Sequence, residues 1–202
     1  NSVEVIKGPA SSLYGPEAVG GAINLITKTA PGIPTAQVGY QMDEWGYKRV
    51  QFTAGAQLGK KWSIMTGGYV ARQKGSWASN SDFDKSSINV RLDYQFTPKT
   101  KLWGSFAYND YFSQTGGNID STGFYSRSYQ SPADFTYRSS FSSRSRLTLE
   151  HKWSENANSS LTAFYRDNAL GQNPSYSISW TTPSLTASGQ INQNSFQSFG
   201  LM

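Results

Sequence analysis

The sequence contains no cysteine and a single histidine, His151, and these two absences exclude several kinds of chemistry. Without cysteine the chain has no disulfide framework and no thiolate nucleophile. A zinc site or a Ser-His-Asp arrangement needs partners for its histidine, and His151 has neither a second histidine nor a cysteine to join it. The acidic residues are scattered. We therefore expect no catalytic site, no metal site and no cofactor, and we expect His151 to be structural or exposed.

Long apolar runs and blocks of like charge are also missing. No run of 18 apolar residues occurs, so the sequence predicts no transmembrane helix. The formal net charge is +5, but the 18 basic residues are dispersed and never form a run of five. That distribution is typical of solvated or lumen-facing charges, so no nucleic-acid partner is expected. The chain starts and ends in strand-like segments and opens on no signal peptide, so we expect it to be part of a longer protein.

Charge itself is scarce. Charged residues make up 15% of the chain, hydrophobic residues 37% and aromatic residues 14%. A typical soluble domain is about a quarter charged and more apolar. In place of the missing charged and apolar residues, the chain has Ser, Thr, Asn, Gln, Gly and Tyr. This composition suits a sheet with one apolar and one polar face better than a dense two-sided core.

Several segments alternate between apolar and polar residues, which is the period of a β-strand. In Ser86–Thr97 the residues Ile88, Val90 and Leu92 alternate with Asn89, Arg91 and Asp93. The same alternation marks Thr35–Asp43, Tyr47–Gly59 and Arg144–Trp153, and less regular strands are predicted at Trp62–Arg72, Lys101–Ser113 and Ser160–Leu170. Strands of a soluble sandwich are nearer five or six residues, whereas strands of ten or more fit a tilted membrane wall.

The predicted connections alternate in length. From the second onward they are Lys60-Lys61, Lys74–Asp84, Pro98–Thr100, Gln114–Tyr137, Ser154–Ala157 and Gly171–Asn194. An up-and-down membrane barrel has short turns at one end and longer loops at the other. Trp62, Trp103 and Trp153 all lie beside short turns, where an interfacial aromatic girdle belongs. Two of the three share the apolar face of their strand, but Trp103 does not follow Leu102 and Phe106. A tryptophan in a soluble core is the alternative. These patterns predict an all-β fold: about seven to eight strands of an antiparallel up-and-down transmembrane β-barrel, present as an incomplete, open, curved sheet.

The first 28 residues differ from the rest. A strand at Ser2–Lys7 ends at Gly8-Pro9, a compact polar turn follows, and Gly20-Gly21 precedes a second strand at Ala22–Thr29. A glycine-rich segment between strands could cradle a phosphate, but neither G-x-G-x-x-G nor a Walker A pattern is present. Tight turns packed against a wall are therefore the favoured interpretation, with Gly20-Gly21 allowing positive φ or close backbone approach.

This opening segment carries a resemblance. VEVIKGPASSLYGPEAVGGAINLITK resembles the C-terminal half of the plug domain of TonB-dependent outer-membrane receptors, through V-E-V-I-K-G-P, S-x-L-Y-G and A-V-G-G-A-I-N-L-I-T-K. The resemblance covers only about the first 30 residues. It implies that residues 1–30 end a plug and residues 31–202 begin a barrel. Its structural and gating residues would be Lys7, Gly8, Pro9, Tyr14, Gly15, Gly20 and Gly21.

The resemblance also implies a function. Such receptors are gated, energy-coupled transporters, not enzymes, in the bacterial outer membrane, and they take up scarce large nutrients such as iron–siderophores, haem or cobalamin. Their expected partners are a TonB-type energy-transducing protein, outer-membrane lipid and lipopolysaccharide, and the nutrient. The segment that contacts the TonB-type protein, the first half of the plug and most of the barrel would lie outside this chain.

The polar faces of the predicted strands carry a row of arginines that need acceptors if the lumen is filled. We expect Arg49, Arg91, Arg144 and Arg146 to pair with plug carboxylates such as Glu4 and Glu17, or to bond plug carbonyls.

Two of the predicted long loops hold the candidates for ligand binding. Aromatic side chains with an arginine suit a flat or anionic ligand, whereas packing within the loop or contact with lipopolysaccharide is the alternative. The candidates are Phe124, Tyr125, Arg127, Tyr129, Tyr176 and Trp180. A rival function, a non-transporting adhesion or carbohydrate-binding β-protein with an aromatic stacking surface, explains these aromatics but neither the opening motif nor the alternating loops.

Overall fold

The protein forms two antiparallel sheets in a computed structural model that describes residues 2–9, 19–26, 28–116, 120–126, 136–173 and 192–201. The smaller sheet pairs β1 (Ser2–Lys7) with β2 (Gly21–Ile26). The β-branched residues of β1 favour a strand, and Gly8-Pro9 follows it directly, as predicted. Both opening strands of the sequence prediction are thus confirmed, with β2 beginning and ending earlier than expected.

The larger sheet has eight strands in the linear order β10-β9-β8-β7-β6-β5-β4-β3, each antiparallel to its sequence neighbour. In this sheet of the described residues, β3 and β10 are the two edges. The strands are β3 (Thr35–Met42), β4 (Tyr47–Leu58), β5 (Trp62–Gln73), β6 (Phe83–Thr97), β7 (Thr100–Gln114), β8 (Tyr137–Lys152), β9 (Asn158–Asn173) and β10 (Asn192–Leu201).

The connections confirm the predicted alternation. Residues 59–61, 98–99 and 153–157 form short turns at one end of the sheet, and longer connections of residues 74–82, 115–136 and 174–191 leave the other end. The connection 115–136 contains a short helix, α1 (Ser121–Tyr125), where the sequence predicted only a loop. Asp120 caps this helix, because its carboxylate accepts the backbone N–H of Gly123 at 2.6 Å. Among the described residues, no helix has the length and apolarity needed to cross a membrane.

The register assigns every strand residue to one of two faces. Arg49, Arg91, Arg144 and Arg146 fall on the same face, here called the polar face. The opposite face, here called the apolar face, carries the alternating aliphatic and aromatic residues. A shift of one residue in the pairing of two strands would move every side chain of a strand to the other face. The short turns that fix the register therefore also determine which side chains meet.

The apolar face is not covered by the protein itself. Val38 is 78% exposed, Val50 48% and Phe199 87%, and Ala71 is the only buried apolar side chain in the described part of the chain. A water-soluble sandwich would bury such residues between two sheets. This face therefore requires an apolar surrounding, as the outer face of a membrane barrel does.

Strand β8 is longer than predicted. The sequence predicted a strand from Arg144, but the ladder with β7 and β9 begins at Tyr137. Serine stands on both faces over residues 139–145, so the apolar alternation that marks a strand is absent there. Backbone pairing with both β7 and β9 keeps this segment extended even though its sequence lacks apolar alternation.

Candidate functional site on the polar face

The strongest charge network of the polar face is centred on Asp93 of β6. Its carboxylate accepts Arg91 Nη2 at 2.9 Å and Arg91 Nε at 3.0 Å, and Lys101 Nζ of β7 lies 2.8 Å from Asp93 Oδ1. The Asp93 side chain is only 7% exposed, and those of Arg91 and Lys101 are 17% and 31% exposed. Bidentate geometry and low exposure make this pair stronger than a surface ion pair.

Trp103 lies beside that network. The guanidinium carbons of Arg91 and Arg146 lie 4.5 Å and 4.9 Å from the centroid of its ring, one from β6 and the other from β8. The indole N–H donates to Glu150 Oε1 at 2.7 Å. The ring thus joins three strands through two cation–π contacts and one charge-assisted hydrogen bond.

We call these six residues, Arg91, Asp93, Lys101, Trp103, Arg146 and Glu150, the wall cluster. It contains three cationic and two anionic side chains on the polar face. Next to it, the hydroxyl groups of Thr148 and Thr162 lie 3.0 Å apart and are buried. Because Asp93 pairs with cations from two strands and Trp103 contacts side chains from both neighbouring strands, the cluster is suited to hold adjacent strands together.

The other predicted arginines have different surroundings. Arg49 lies over the Tyr69 ring at 4.5 Å, and its Nε is buried without a hydrogen-bond partner in the described residues. Arg144 stands directly opposite Arg166 in the ladder of β8 and β9, and neither makes an ion pair within the part of the chain described. Like charges directly opposite each other are unfavourable unless an anion lies between them.

The predicted pairing with plug carboxylates stays a prediction. Arg91 already has Asp93 as its carboxylate, which sequence reasoning placed on the same face without recognising the pair. Glu4 lies in β1 opposite Asn24, and its side chain is exposed. Glu17 lies outside the described residues.

The glycines of the opening motif divide into two kinds. Gly8 has φ +94° and Gly21 has φ +142°, and a Cβ on Gly21 would lie 2.5 Å from the carbonyl oxygen of Ile6. Glycine is therefore needed at both positions. Gly20 shows neither a positive φ nor a close neighbour. Lys7 ends β1 and Pro9 follows Gly8, whereas Tyr14 and Gly15 lie outside the described residues.

Two of the six ligand candidates can be placed. Phe124 and Tyr125 lie on α1, are 60% and 83% exposed, and meet edge to face with ring centroids 5.6 Å apart. The other four candidates, Arg127, Tyr129, Tyr176 and Trp180, lie outside the described residues.

A second group of aromatic and cationic residues lies on the polar face near the long connections, and the sequence analysis did not single it out. Lys85 Nζ lies 4.5 Å from the centroid of the Phe83 ring and 4.9 Å from that of Tyr111, and Tyr47 packs on Phe83. Alternation alone places Lys85 and Tyr111 on this face. Their contact depends on the register between β6 and β7.

His151 has a structural environment, as predicted. Its Nδ1 lies 2.8 Å from the Thr100 hydroxyl, and its ring meets Trp153 edge to face at 4.3 Å. Within the described residues, no group of three or more histidine, cysteine, aspartate or glutamate side chains is placed to hold a metal ion.

Comparison with known proteins gives a sequence relative. The chain is 29% identical over 113 residues to the vitamin B12 transporter BtuB of Vibrio vulnificus (strain CMCP6), a match that covers 55% of this chain and 17% of that protein. No family profile matches the chain.

Solved structures show the same fold. The ferripyoverdine receptor of the Pseudomonas aeruginosa outer membrane, bound to ferripyoverdine, superposes with a TM-score of 0.69 at 19% identity, over 85% of this chain and 24% of the receptor. The closed form of the ferric-catecholate import receptor Fiu from Escherichia coli K12 superposes with a TM-score of 0.68 at 14% identity, over 98% of this chain and 31% of Fiu. The complex of FpvAI with pyocin S2 contains a further match, with a TM-score of 0.69 at 18% identity.

These matches cover only a minority of each known chain. This chain spans 17% of the curated relative and about a quarter to a third of the solved receptors. The open antiparallel sheet and the sequence match make this chain similar to part of the barrel region of TonB-dependent outer-membrane receptors.

Proposed function

We propose that the protein containing this chain is a ligand-gated, energy-coupled outer-membrane receptor that imports a scarce, large nutrient of the iron–siderophore, haem or cobalamin type. The observation that carries the proposal is the two-faced sheet: an uncovered apolar face for lipid and an arginine-rich polar face for a filled lumen. A porin or a soluble binding protein would not need both this wall and the opening plug motif.

The sequence relative and the structural relatives support two different ligand classes. The sequence match is to a vitamin B12 transporter, whereas the solved structures include a receptor bound to ferripyoverdine and a ferric-catecholate import receptor. Two such different ligands share size and scarcity rather than chemistry. The nutrient of this protein therefore has to be assigned by transport measurements.

The domain division is part of the proposal. Residues 1–30 would be the end of the plug and residues 31–202 the beginning of the barrel. The separate pairing of β1 with β2 supports this division, as does the match to Fiu over 98% of the chain. The partners would be a TonB-type protein that supplies energy, outer-membrane lipid with lipopolysaccharide, and the nutrient.

Uptake by the full-length receptor tests the function. A strain that lacks its own receptors and expresses the full-length protein would be given radiolabelled ferric siderophores of catecholate, hydroxamate and mixed type, labelled cyanocobalamin, and haem. We expect accumulation of one of these ligands, lost when a protonophore collapses the inner-membrane potential or when the TonB-type protein is deleted. Accumulation that survives both treatments would indicate a passive channel and reject energy coupling.

A further inference from the structure

Two cations and four aromatic rings lie together on the polar face near the long connections, and we call this group the outer platform. Its members come from the four consecutive strands β4 to β7, and all of them are half-buried. They are Tyr47, Arg49, Tyr69, Phe83, Lys85 and Tyr111. The wall cluster lies nearer the short turns, so the two groups occupy different parts of the polar face.

The register places the two cations in one row of the sheet. Arg49 of β4 lies opposite Ala71 of β5, and Ala71 lies opposite Lys85 of β6. Tyr111 of β7 follows in the same row. Ala71 is small and only 4% exposed, so the row has no bulky side chain between the two cations. Because two inter-strand spacings separate β4 from β6, the cations start about 10 Å apart, and one ligand with several rings can reach both.

Aromatic rings hold both cations in place. The guanidinium carbon of Arg49 lies 4.5 Å from the centroid of the Tyr69 ring. Lys85 Nζ lies 4.5 Å from the centroid of the Phe83 ring and 4.9 Å from that of Tyr111. Such cation–π contacts position a cation over a ring but leave its charge without a counter-charge.

Neither cation of the outer platform has a carboxylate partner in the part of the chain that the structure describes. Arg49 and Lys85 make no ion pair there, and the Nε of Arg49 is buried without a hydrogen-bond partner. The acidic residues next to Lys85 and Tyr111 in the sequence are Asp84 and Asp110, and the register puts both on the apolar face. The wall cluster differs, because its arginine and lysine share a carboxylate on their own face. The outer platform therefore has positive charge available for an anion.

We propose that the outer platform binds an aromatic anion, a ring that carries acidic oxygens, such as a catecholate or hydroxybenzoate group of the nutrient. The ligand ring packs against the aromatic side chains, and its oxygens accept hydrogen bonds from Arg49 and Lys85. The phenolic hydroxyl groups of Tyr47, Tyr69 and Tyr111 add further donors. A neutral ligand would remove water from two cations without supplying a counter-charge, which is unfavourable.

The position of the outer platform suits a nutrient that enters from outside the cell. Tyr47 follows the turn at 43–46 and Phe83 follows the connection 74–82, both at the long-connection end of the sheet. In outer-membrane barrels the longer loops are extracellular. The inference rests on the proposed receptor function and narrows its ligand class to iron complexes with acidic aromatic groups, which excludes cobalamin.

The test measures the binding of three radiolabelled ferric complexes to the purified full-length receptor by equilibrium dialysis. The catechol complex carries rings and negative charge, the citrate complex carries negative charge without a ring, and the acetohydroxamate complex carries neither. Wild-type receptor should bind the catechol complex at least about tenfold more tightly than either of the others. Because the readout is a ratio of affinities within one protein sample, it does not depend on the folded fraction of a variant.

Lys85→Gln and Arg49→Gln should each lower the preference for catechol over acetohydroxamate about fivefold, because each removes a half-buried cation. Lys85→Arg should retain the preference. Tyr111→Leu should lower the preference for catechol over citrate and leave the affinity for citrate unchanged, because it removes a ring and no charge. Lys48→Gln is the matched control: it removes the same charge one residue from Arg49 but on the apolar face, and it should bind as the wild type does.

Contrary results overturn the site. A wild-type receptor that binds none of the complexes, or binds all three equally, has no such platform. Equal losses in Lys48→Gln and Lys85→Gln would show diffuse attraction by the whole surface. If Lys85→Gln and Arg49→Gln keep the catechol preference and instead make cells sensitive to vancomycin, the two cations contact the plug.

Failure of this site and failure of the transport proposal are distinguishable. Energy-dependent uptake of cobalamin would reject the aromatic anion and leave the transport proposal intact. A catechol preference in a receptor whose uptake survives a protonophore would support the site and reject energy coupling alone.

Discussion

The guanidinium of Arg91 lies 4.5 Å from the centre of the Trp103 ring, and the two side chains project from neighbouring strands onto the polar face. Arg91 also holds Asp93 through two hydrogen bonds. A tryptophan beside a short turn would ordinarily be assigned to the lipid-facing girdle. Here it belongs to a charged cluster on the opposite face, and its substitution should act on the stability of the wall.

Trp103→Ala in the full-length receptor should lower the free energy of unfolding by about 3 kcal/mol, because two cation–π contacts and the hydrogen bond to Glu150 are lost together. Trp103→Phe keeps a ring and should cost about 1 kcal/mol. The measurement is urea unfolding in lipid vesicles followed by heat-modified electrophoretic mobility. Trp45→Phe, in the exposed turn before β4, is the control and should change stability by less than about 0.5 kcal/mol. Equal stabilities of Trp103→Ala and the wild type would exclude a structural role for the cluster.

Asp93→Asn should destabilise the receptor by about 2 kcal/mol, because it leaves Arg91 and Lys101 close together without a carboxylate. The expected loss is smaller than for a fully buried ion pair, since Lys101 is about a third exposed and water screens its charge. Asp84→Asn is the matched control: its carboxylate also serves two cations but is 39% exposed, so the expected loss is below about 1 kcal/mol. If both variants lost the same free energy of unfolding in this assay, the lower exposure of Asp93 would not make its ion pairs stronger than those of Asp84.

If Arg144 pairs with a plug carboxylate as predicted, Arg144→Glu should replace that attraction with repulsion and weaken the contact between the plug and the barrel wall. The expected result is a several-fold lower inhibitory concentration of vancomycin for cells that express the variant receptor, because large antibiotics then pass the lumen. Combining it with Glu4→Arg, or separately with Glu17→Arg, should restore the barrier for the true partner. Arg138→Glu, on the same face at the start of β8, is the control. If neither double variant differs from Arg144→Glu, those two carboxylates are not the partners.

Phe124→Ala and Tyr125→Ala should each weaken nutrient binding about tenfold, if the exposed rings of α1 stack on the ligand. Once uptake has identified the nutrient, quenching of intrinsic fluorescence of the full-length receptor gives the affinity. Tyr165→Phe, on the apolar face of β9, provides the control and should bind normally. Unchanged affinity in both α1 variants would assign these rings to packing within the loop or to lipopolysaccharide contact.

Alternation in the sequence was enough to locate most of the strands and to assign their residues to a face. Period-two alternation placed Arg91, Asp93 and Trp103 on one side of the sheet, and the alternation of short and long connections gave an up-and-down topology. Where serines replaced the apolar residues, at 139–145, this signal failed and the start of β8 was placed too late. The wall cluster was not predictable, because alternation gives the face of a side chain but not its neighbour on the next strand.

Which side chains meet across neighbouring strands depends on the register of the folded sheet. Arg91 and Arg146 are far apart in the sequence, yet both lie opposite Ser105 in the ladders of β7, so both reach the same indole. The two-residue turn at 98–99 and the turn at 153–157 fix those ladders, and a slip of one residue would turn Trp103 toward the lipid. Composition supplied the cations and the ring, and register brought them into contact.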